Sequence, residues 1–193
     1  MLRALQKLDI DKLPFADYLI NCKPHVDSPS YLKSKDIYDL SSIFEGGKTS
    51  FAPLSDWPRD HIKTTLDDTQ FSALQHALTK ELAIIQGPPG TGKTYVGLKI
   101  IRALLNNEQV RCESPILVIC YTNHALDQFL EGVLEFEESV VRIGGRSKSE
   151  ILKDHNIRKI MYESGKTGKQ HHRTRQDINY QLEILQGEKK KGT

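Results

Sequence analysis

The chain has 193 residues, of which 38% are hydrophobic and 27% are charged, and its formal net charge is +2. This length suffices for one domain with a hydrophobic core, and no apolar stretch approaches the roughly 18 residues of a membrane-spanning helix. The three cysteines form no C-x-x-C pair, which argues against a disulfide framework or a zinc site and predicts a reducing intracellular compartment, the cytoplasm or the nucleus.

Residues 1–65 are predicted to form a connector or adaptor region that precedes a folded domain. The segment at residues 24–58 is rich in proline and serine and contains the turn signal Gly46-Gly47, so it is expected to be extended rather than part of a core. Four apolar residues between positions 37 and 44 could form one buried helical turn or an irregular strand, and the pattern does not separate these two structures.

A helix is predicted to follow Asp67 and to end near Lys80. Asp67 is a good N-cap, and Gln70 stands three residues later, at the spacing of a capping box in which Asp replaces Ser or Thr. Gln70 has a second interpretation, because its amide offers a donor and an acceptor that match the edge of an adenine base. On spacing alone, the capping role is favoured.

The next stretch predicts a strand, a phosphate loop and a helix in that order. The apolar run Leu82–Ile85 fits a buried parallel strand, and apolar residues recur at helical spacing over residues 96–105. Between them, residues 87–94 match the pattern G-x-x-x-x-G-K-[ST] at every required position. The sequence therefore predicts that this chain binds a nucleoside triphosphate or belongs to a domain that does.

Each residue type in the phosphate loop has a physical reason. Glycines let successive N–H groups turn towards an anion, prolines stiffen the approach, and the following helix adds the positive end of its dipole. Lys93 can reach the β- and γ-phosphates, and the Thr94 hydroxyl can complete the coordination shell of Mg²⁺. The predicted contacts to the nucleotide come from Gly87, Pro88, Pro89, Gly90, Thr91, Gly92, Lys93, Thr94 and Tyr95.

A second strand and helix are predicted after residue 115. The run Ile116–Ile119 reads as a parallel strand, and five apolar residues over positions 126–134 mark a helix with Asn123 as a candidate N-cap. Ligands of open α/β sheets bind beyond the carboxyl ends of strands, where Thr122 and Asn123 would lie. His124 and Asp127 fall near the start of the helix. An exposed position is favoured for Asp127, since its charge suits the helix dipole.

The run Val140–Ile143 is predicted to be a third parallel strand, followed by a basic helical hairpin over residues 147–186. Ser147 and Glu150 have the spacing of a capping box. Residues 144–193 hold 12 Lys or Arg against 6 Asp or Glu. This local balance is typical either of contact with a polyanion or of a solvated helical face.

Three stretches, in order, resemble motifs of superfamily 1 helicases. Residues 66–70 are similar to the adenine-reading glutamine motif, residues 86–94 to motif I, and residues 120–128 to motif Ia. The group is the one that contains the nonsense-mediated-decay RNA helicase, and the likeness is strongest to the NFX-type zinc-finger-containing RNA helicases. Strong likeness covers residues 66–150.

The resemblance implies a role for each matched residue. It implies that Gln70 contacts adenine, that Lys93 and Thr94 serve phosphate and Mg²⁺, and that the backbone of single-stranded RNA is bound by Thr122, Asn123 and His124. The basic hairpin would match a helical stalk or insertion that lies over the nucleic acid. The same resemblance implies protein partners in RNA silencing or RNA surveillance. Contacts to the nucleic-acid backbone alone do not show whether the ligand is RNA or DNA.

The departures from the family pattern are equally specific. No apolar run ends in Asp-Glu, so motif II is absent, as are motifs III to VI, the second RecA-like domain and its arginine fingers. An arginine finger alone is worth roughly 10³–10⁵ in rate. The chain is therefore expected to be a fragment of an ATP-dependent RNA helicase that binds ATP and Mg²⁺ but hydrolyses ATP negligibly.

The predicted fold class is α/β, a partial RecA-like P-loop NTPase domain with a parallel sheet, plus the basic helical hairpin. Residues 66–146 would form the first half of helicase domain 1, and residues 147–193 the stalk and tail. Two other functions stay open at this point. One is a different P-loop ATPase or kinase, and the other is a non-catalytic RNA-binding or scaffold protein that uses the hairpin alone.

Overall fold

A computed structural model describes residues 13–32, 38–47, 49–51, 57, 59–107 and 115–164. The chain divides into two compact units, Met1–Leu117 and Val118–Thr193. The helices are α1 (Ala16–Leu19), α2 (Asp68–Thr79), α3 (Lys93–Asn106), α4 (Asn123–Leu134) and α5 (Ile157–Ser164), and 3₁₀ turns lie at Arg59–His61 and Ile151–Lys153. The strands are β1 (Tyr38–Asp39), β2 (Gly46–Gly47), β3 (Ser50–Phe51) and β4 (Ile62–Lys63). Among the described helices, none combines the length and the apolar character needed to cross a membrane.

The core of the first unit is built around α2. The apolar face that the sequence predicts for this helix is buried, together with side chains from the N-terminal segment and from α3. The buried residues are Tyr38, Leu40, Ile43, Phe44, Phe51, Trp57, Ile62, Leu66, Phe71, Leu74, Leu78, Val96 and Ala103. Six of them come from the segment at residues 24–58, so the expectation that this segment is extended connector rather than core is wrong. A high content of proline and serine indicates irregular backbone, but a segment with irregular backbone can still contribute buried aromatic side chains to a core.

Two short antiparallel ladders hold the N-terminal segment in place. Tyr38 pairs with Phe51 in the first ladder, and Gly47 pairs with Ile62 in the second. The Tyr38 hydroxyl donates to the carbonyl oxygen of Leu78 at 2.9 Å, which ties β1 to the end of α2. Asn107, the C-cap of α3, accepts from the Asp39 N–H at 2.8 Å and donates to the Asp39 carbonyl at 2.9 Å. These bonds fix α3 against the core.

We expect Phe51→Ala to lower the free energy of unfolding of the first unit by about 3–5 kcal/mol, the usual cost of truncating a buried phenylalanine. Phe51 is 1% exposed and its ring centroid lies 5.3 Å from that of Trp57. Because Trp57 is the only tryptophan, its fluorescence during urea unfolding reports this core. The matched control is Phe15→Ala, which truncates a ring that is 40% exposed. If the two variants unfold at the same urea concentration, the segment at residues 24–58 is a connector and not part of the core.

The predicted parallel sheet is not formed within the described residues. The runs Leu82–Ile85, Ile116–Ile119 and Val140–Ile143 carry no strand, and Ile84 and Ile119 are 80% and 81% exposed. A parallel strand is stable when neighbouring strands take its N–H and C=O groups and helices cover both faces. These apolar runs have the composition of parallel strands, but within the described residues no neighbouring strands pair with them. The observed architecture is a mixed α/β arrangement of helices and small antiparallel ladders.

In the second unit, α4 buries Leu130 and Val133. Arg142 forms an isolated parallel bridge with Asn156, in which the Arg142 N–H donates to the His155 carbonyl at 2.8 Å. Within the described residues, the predicted hairpin is represented by the 3₁₀ turn Ile151–Lys153 and by α5. Residues 165–193 lie outside the described part of the chain. The predicted Ser147–Glu150 capping box is wrong, because Ser147 donates its hydroxyl to Asp127 and the Glu150 carboxylate pairs with Lys153.

Candidate functional site

The phosphate loop adopts the backbone that its glycines permit. Gly90 and Gly92 have φ of 85° and 79°, in the left-handed region that favours glycine. A Cβ on Gly92 would lie 2.7 Å from Nε2 of Gln70, so a side chain there would also clash. Gly92 is the N-cap of α3 and provides no side-chain hydrogen bond to it. The first-turn N–H groups of α3 have no intrahelical acceptor, and such groups form a site for an anion.

Lys93 places its ammonium group across the loop. Its Nζ donates to the carbonyl oxygens of Gly87 at 2.6 Å and Pro88 at 2.7 Å. Thr91 donates its hydroxyl to the Pro88 carbonyl at 2.9 Å, which closes the turn. An ammonium group is attracted more strongly to an anionic phosphate oxygen than to a neutral carbonyl oxygen, because the two full charges add Coulombic attraction to the hydrogen bond. A phosphate at the start of α3 would therefore draw Nζ away from these carbonyls.

Gln70 caps the start of α2 and also contacts the phosphate loop. Its N–H donates to the Asp67 carboxylate at 2.8 Å, and its Oε1 accepts from the Asp67 N–H at 3.2 Å, so the predicted capping box is confirmed. Its Nε2 donates to the Thr91 carbonyl at 3.1 Å, and this bond joins the start of α2 to the phosphate loop. Contact with adenine stays a prediction.

We expect Gln70→Glu to weaken the preference for ATP over GTP while leaving the helix cap in place. The glutamate retains an oxygen to accept from the Asp67 N–H but loses the amide donor to Thr91 and to a base. Gln70→Ala should lose both and should also destabilise α2 by about 1 kcal/mol. Titration with fluorescent ATP and GTP analogues measures the ratio of the two nucleotide affinities. If Gln70→Glu keeps the wild-type ratio, Gln70 is a capping residue alone.

Two further predicted contacts lie on the first turn of α3. Thr94 is exposed, and its proposed contact with Mg²⁺ stays a prediction. The Tyr95 hydroxyl shares a short hydrogen bond with the hydroxyl of Thr65, and the Lys99 ammonium lies 5.2 Å from the centre of the Tyr95 ring. Tyr95 is thereby held between the segment before α2 and the body of α3, next to the loop.

The predicted nucleic-acid contacts begin at the start of α4, in the second unit. The N-cap is Thr122 and not Asn123, because Thr122 has the extended backbone of a cap and its Oγ1 accepts from the Ala125 N–H at 3.2 Å. Asn123 is already helical, and its Oδ1 accepts from Nη2 of Arg142 at 2.9 Å. His124 is exposed on the first turn.

A buried ion pair supports this helix start. Asp127 is 6% exposed, so the expectation of an exposed position is wrong, and Arg142 is 0% exposed. Nε of Arg142 donates to Asp127 at 2.7 Å, and Nη1 donates to the Gly144 carbonyl at 3.0 Å. The second Asp127 oxygen accepts from the Ser147 hydroxyl at 2.8 Å and from the Lys148 N–H at 3.3 Å. The network joins α4 to the loop that follows residue 143.

The carboxyl group of Asp127 ionises more readily than an ordinary aspartate. Burial by itself would raise the pKa of Asp127, but the hydrogen bonds from Arg142, Ser147 and the Lys148 N–H outweigh it and hold that pKa below its usual value. The sequence analysis missed Arg142 as a supporting residue. The available signal was a charged residue inside an apolar run that was expected to be buried.

The structure thus forms two separate groups of predicted site residues. Gln70 and Lys93 meet the phosphate loop in the first unit. Thr122 and Asn123 start α4 in the second unit, where Asn123 is bound by Arg142.

Comparison with known proteins adds to this geometry. The family model described as "AAA domain" matches residues 65–192. The chain is 47% identical over 182 residues to "NFX1-type zinc finger-containing protein 1" of Homo sapiens, which covers 83% of this chain and 9% of that protein. It is 40% identical to "Helicase required for RNAi-mediated heterochromatin assembly 1" of Schizosaccharomyces pombe, over 77% of this chain and 15% of that protein. It is 32% identical to "ATP-dependent helicase upf1" of the same organism, over 66% of this chain and 12% of that protein. No solved structure matches the chain significantly.

Proposed function

Because the chain belongs to the family of AAA domains and is part of the core of a superfamily 1 helicase of this group, we propose that its first unit binds ATP with Mg²⁺. The second unit, on the same proposal, binds the backbone of single-stranded RNA. The chain spans only 9% of the length of the first relative. The parent protein would be an ATP-dependent RNA helicase.

The observation that carries the nucleotide proposal is the position of Lys93 at the uncapped start of α3. The first-turn N–H groups would receive phosphate oxygens, and Lys93 would exchange two neutral carbonyls for anionic oxygens. Gln70 would offer its amide to adenine from the start of α2. Mg²⁺ would neutralise charge between the phosphates, with the Thr94 hydroxyl as its protein ligand.

We expect binding without appreciable turnover. No apolar run of this chain ends in Asp-Glu, and a carboxylate of that kind holds the metal in P-loop enzymes. The measurement is phosphate release from ATP by the isolated chain. If the isolated chain hydrolyses ATP and Lys93→Ala abolishes this hydrolysis, the chain contains its own catalytic carboxylate. A stand-alone P-loop ATPase would then be the better assignment.

The RNA proposal rests on the start of α4. Thr122 and His124 are exposed there, and the first-turn N–H groups of a helix favour a backbone phosphate. Two of the relatives carry names that refer to RNA interference or to an ATP-dependent helicase. Discrimination between RNA and DNA would need contact with the 2′-hydroxyl, so paired RNA and DNA oligonucleotides of one sequence belong in every binding assay.

We expect His124→Ala to weaken binding of a single-stranded RNA oligonucleotide several-fold, since the side chain is exposed at the helix start and its loss should not disturb the fold. The matched control is Gln128→Ala, an exposed position one turn further along the same helix. Fluorescence anisotropy measures both affinities. Equal affinities for His124→Ala, Gln128→Ala and the wild type would remove this surface from the proposal.

The exposed apolar runs complete the proposal. We infer that Leu82–Ile85, Ile116–Ile119 and Val140–Ile143 are strands of a parallel sheet whose other strands come from more of the parent protein. Their exposure supports this, because isolated apolar surface of this kind is normally covered. The longer helicase domain should protect the amides of Leu82–Ile85 and Ile116–Ile119 from hydrogen exchange, whereas the 193-residue chain should not, since within the described residues these amides have no acceptor.

A further inference from the structure

The side chain of Asn123 is exposed to solvent but is tied to a buried arginine. Asn123 is the first residue of α4, and its Oδ1 accepts from Nη2 of Arg142 at 2.9 Å. Arg142 is 0% exposed, whereas Asn123 is exposed. A side chain that is proposed above to contact RNA is therefore oriented from the interior of the second unit.

The guanidinium group of Arg142 is itself held in place. Its Nε donates to Asp127 at 2.7 Å, and its Nη1 donates to the Gly144 carbonyl at 3.0 Å. Because a guanidinium is planar and its donors are fixed relative to one another, these two bonds also set the direction of Nη2. Asp127 is buried together with Arg142. The position of the Asn123 amide is thus decided by a rigid, buried group.

This contact decides which end of the Asn123 amide faces a ligand. An arginine carries five N–H donors and no acceptor, so the atom of Asn123 that meets Nη2 must be the amide oxygen. With the oxygen held against a buried side chain, the exposed end of the amide is the nitrogen, which carries two N–H donors. Among the residues that the structure describes, this nitrogen has no acceptor. Asn123 therefore presents donors to its surroundings.

We propose that Arg142 is a positioning residue, which turns the Asn123 amide so that its N–H donors meet an acceptor oxygen of the single-stranded nucleic acid. The inference rests on the proposed RNA binding and deepens it, because it assigns a chemical group to that contact. Phosphates and base carbonyls both supply acceptor oxygens. Since the donors are already oriented in the free protein, little side-chain entropy is lost when the ligand binds.

The first test replaces Asn123. In Asn123→Asp, the carboxylate can accept from Nη2 of Arg142 as the amide oxygen does, but an anionic oxygen takes the place of the exposed donors. An acidic residue in the first turn suits the helix dipole, so the fold should be retained. We expect Asn123→Ala to weaken binding of single-stranded oligo(U) roughly tenfold and Asn123→Asp to weaken it several-fold more, as measured by fluorescence anisotropy.

The matched control is Gln128→Glu, which adds the same charge at an exposed position further along α4 and should weaken binding roughly twofold or less. An equal loss in Asn123→Asp and Gln128→Glu would assign the effect to added negative charge and overturn the proposal. If Asn123 served only to hold Arg142, Asn123→Asp would bind like the wild type and Asn123→Ala would be the weaker variant. That order of affinities would also overturn it.

A ribose-phosphate oligomer without bases identifies the acceptor oxygen. If the loss caused by Asn123→Ala persists with this oligomer, the acceptor is a phosphate oxygen. If the loss occurs only with oligo(U), the acceptor is a base oxygen. Both results support the role of Asn123 as a donor.

The second test addresses the positioning itself. Arg142→Lys keeps a positive charge beside Asp127 but removes the planar donor set that also reaches Asn123. It should weaken oligo(U) binding about as much as Asn123→Ala does, and it should cause little further loss in the Asn123→Ala background. A full additional loss in that background would show that Arg142 acts through the fold and not through Asn123. Hydrogen exchange of the α4 amides shows whether each variant is folded, and if Arg142→Lys is not, the Asn123 series decides.

The outcomes also separate this inference from the proposed function. If the wild type does not bind oligo(U), both fail. If His124→Ala weakens binding while Asn123→Asp binds like the wild type, the proposed RNA binding stands and the role assigned to Arg142 fails.

Discussion

Lys93→Ala is expected to lower the affinity of the chain for ATP about a hundredfold or more. In the proposed complex the ammonium makes charge-assisted hydrogen bonds to phosphate oxygens, each worth about 1.5–3 kcal/mol, and about 1.4 kcal/mol corresponds to a tenfold change in affinity. Lys93 is exposed, and among the residues that the structure describes its Nζ bonds only the carbonyls of Gly87 and Pro88. Its loss should therefore leave the fold intact, so that the change in affinity reports binding directly.

The measurement is isothermal titration of the chain with a non-hydrolysable ATP analogue and Mg²⁺. The matched control is Lys63→Ala, which removes an exposed lysine that lies outside residues 87–94 in the same unit and should leave the affinity within twofold of wild type, as expected for a solvent-screened charge. Unchanged affinity in Lys93→Ala would contradict the assignment of residues 87–94 as a phosphate loop. Loss of affinity in both variants would indicate a general dependence on charge instead.

The second large effect is expected from Asp127→Ala, which should destabilise the second unit by about 3–5 kcal/mol, because it leaves the buried guanidinium of Arg142 without its carboxylate. Trp57 lies in the first unit, so its fluorescence does not report this change. Hydrogen exchange of the α4 amides does, and the protection of these amides should fall accordingly. The control is Glu150→Gln, which breaks the exposed pair with Lys153 and should change protection by less than about 1 kcal/mol.

A double substitution tests the cause of this loss. Asp127→Leu combined with Arg142→Met replaces both charges by apolar groups, and it should recover part of the stability that Asp127→Ala loses, since no uncompensated charge remains. Recovery will be incomplete because Asn123 and the Gly144 carbonyl also lose a donor. If the double variant is as unstable as the sum of the single variants, the pair does not act as a coupled unit.

The same pair predicts how the second unit responds to acid. The folded pKa of Asp127 is depressed, so its stabilising contribution is fully present above the usual aspartate pKa of about 4. That contribution is lost as the pH falls through the lowered folded pKa. Protection of the α4 amides should therefore decline below about pH 4 in the wild type and decline less in Asp127→Ala. Parallel decline in both proteins would assign the acid sensitivity to other groups.

The phosphate loop and the cap at Asp67 were predictable because each is a local arrangement. The left-handed glycines, the helix start at Lys93 and the three-residue spacing of the capping box all lie within a few residues of one another, and local backbone geometry decides them. Gln70 illustrates the limit, since its bond to Thr91 spans 21 residues and no spacing rule contains it.

The family, the phosphate loop and the helices with apolar periodicity could all be derived from the order of the amino acids. It is the meeting of distant segments that buries Tyr38, Phe44, Phe51 and Trp57 in an aromatic core and Asp127 against Arg142, and that leaves Ile84 and Ile119 exposed. The physical reason is that burial and charge pairing depend on which distant segments meet, whereas turns, caps and helical periodicity depend on neighbours along the chain. Arg142 and Asp127 are 15 residues apart. Considered alone, a charged residue is not expected to be buried, and it is the pairing of the two charges that makes the buried position stable for both.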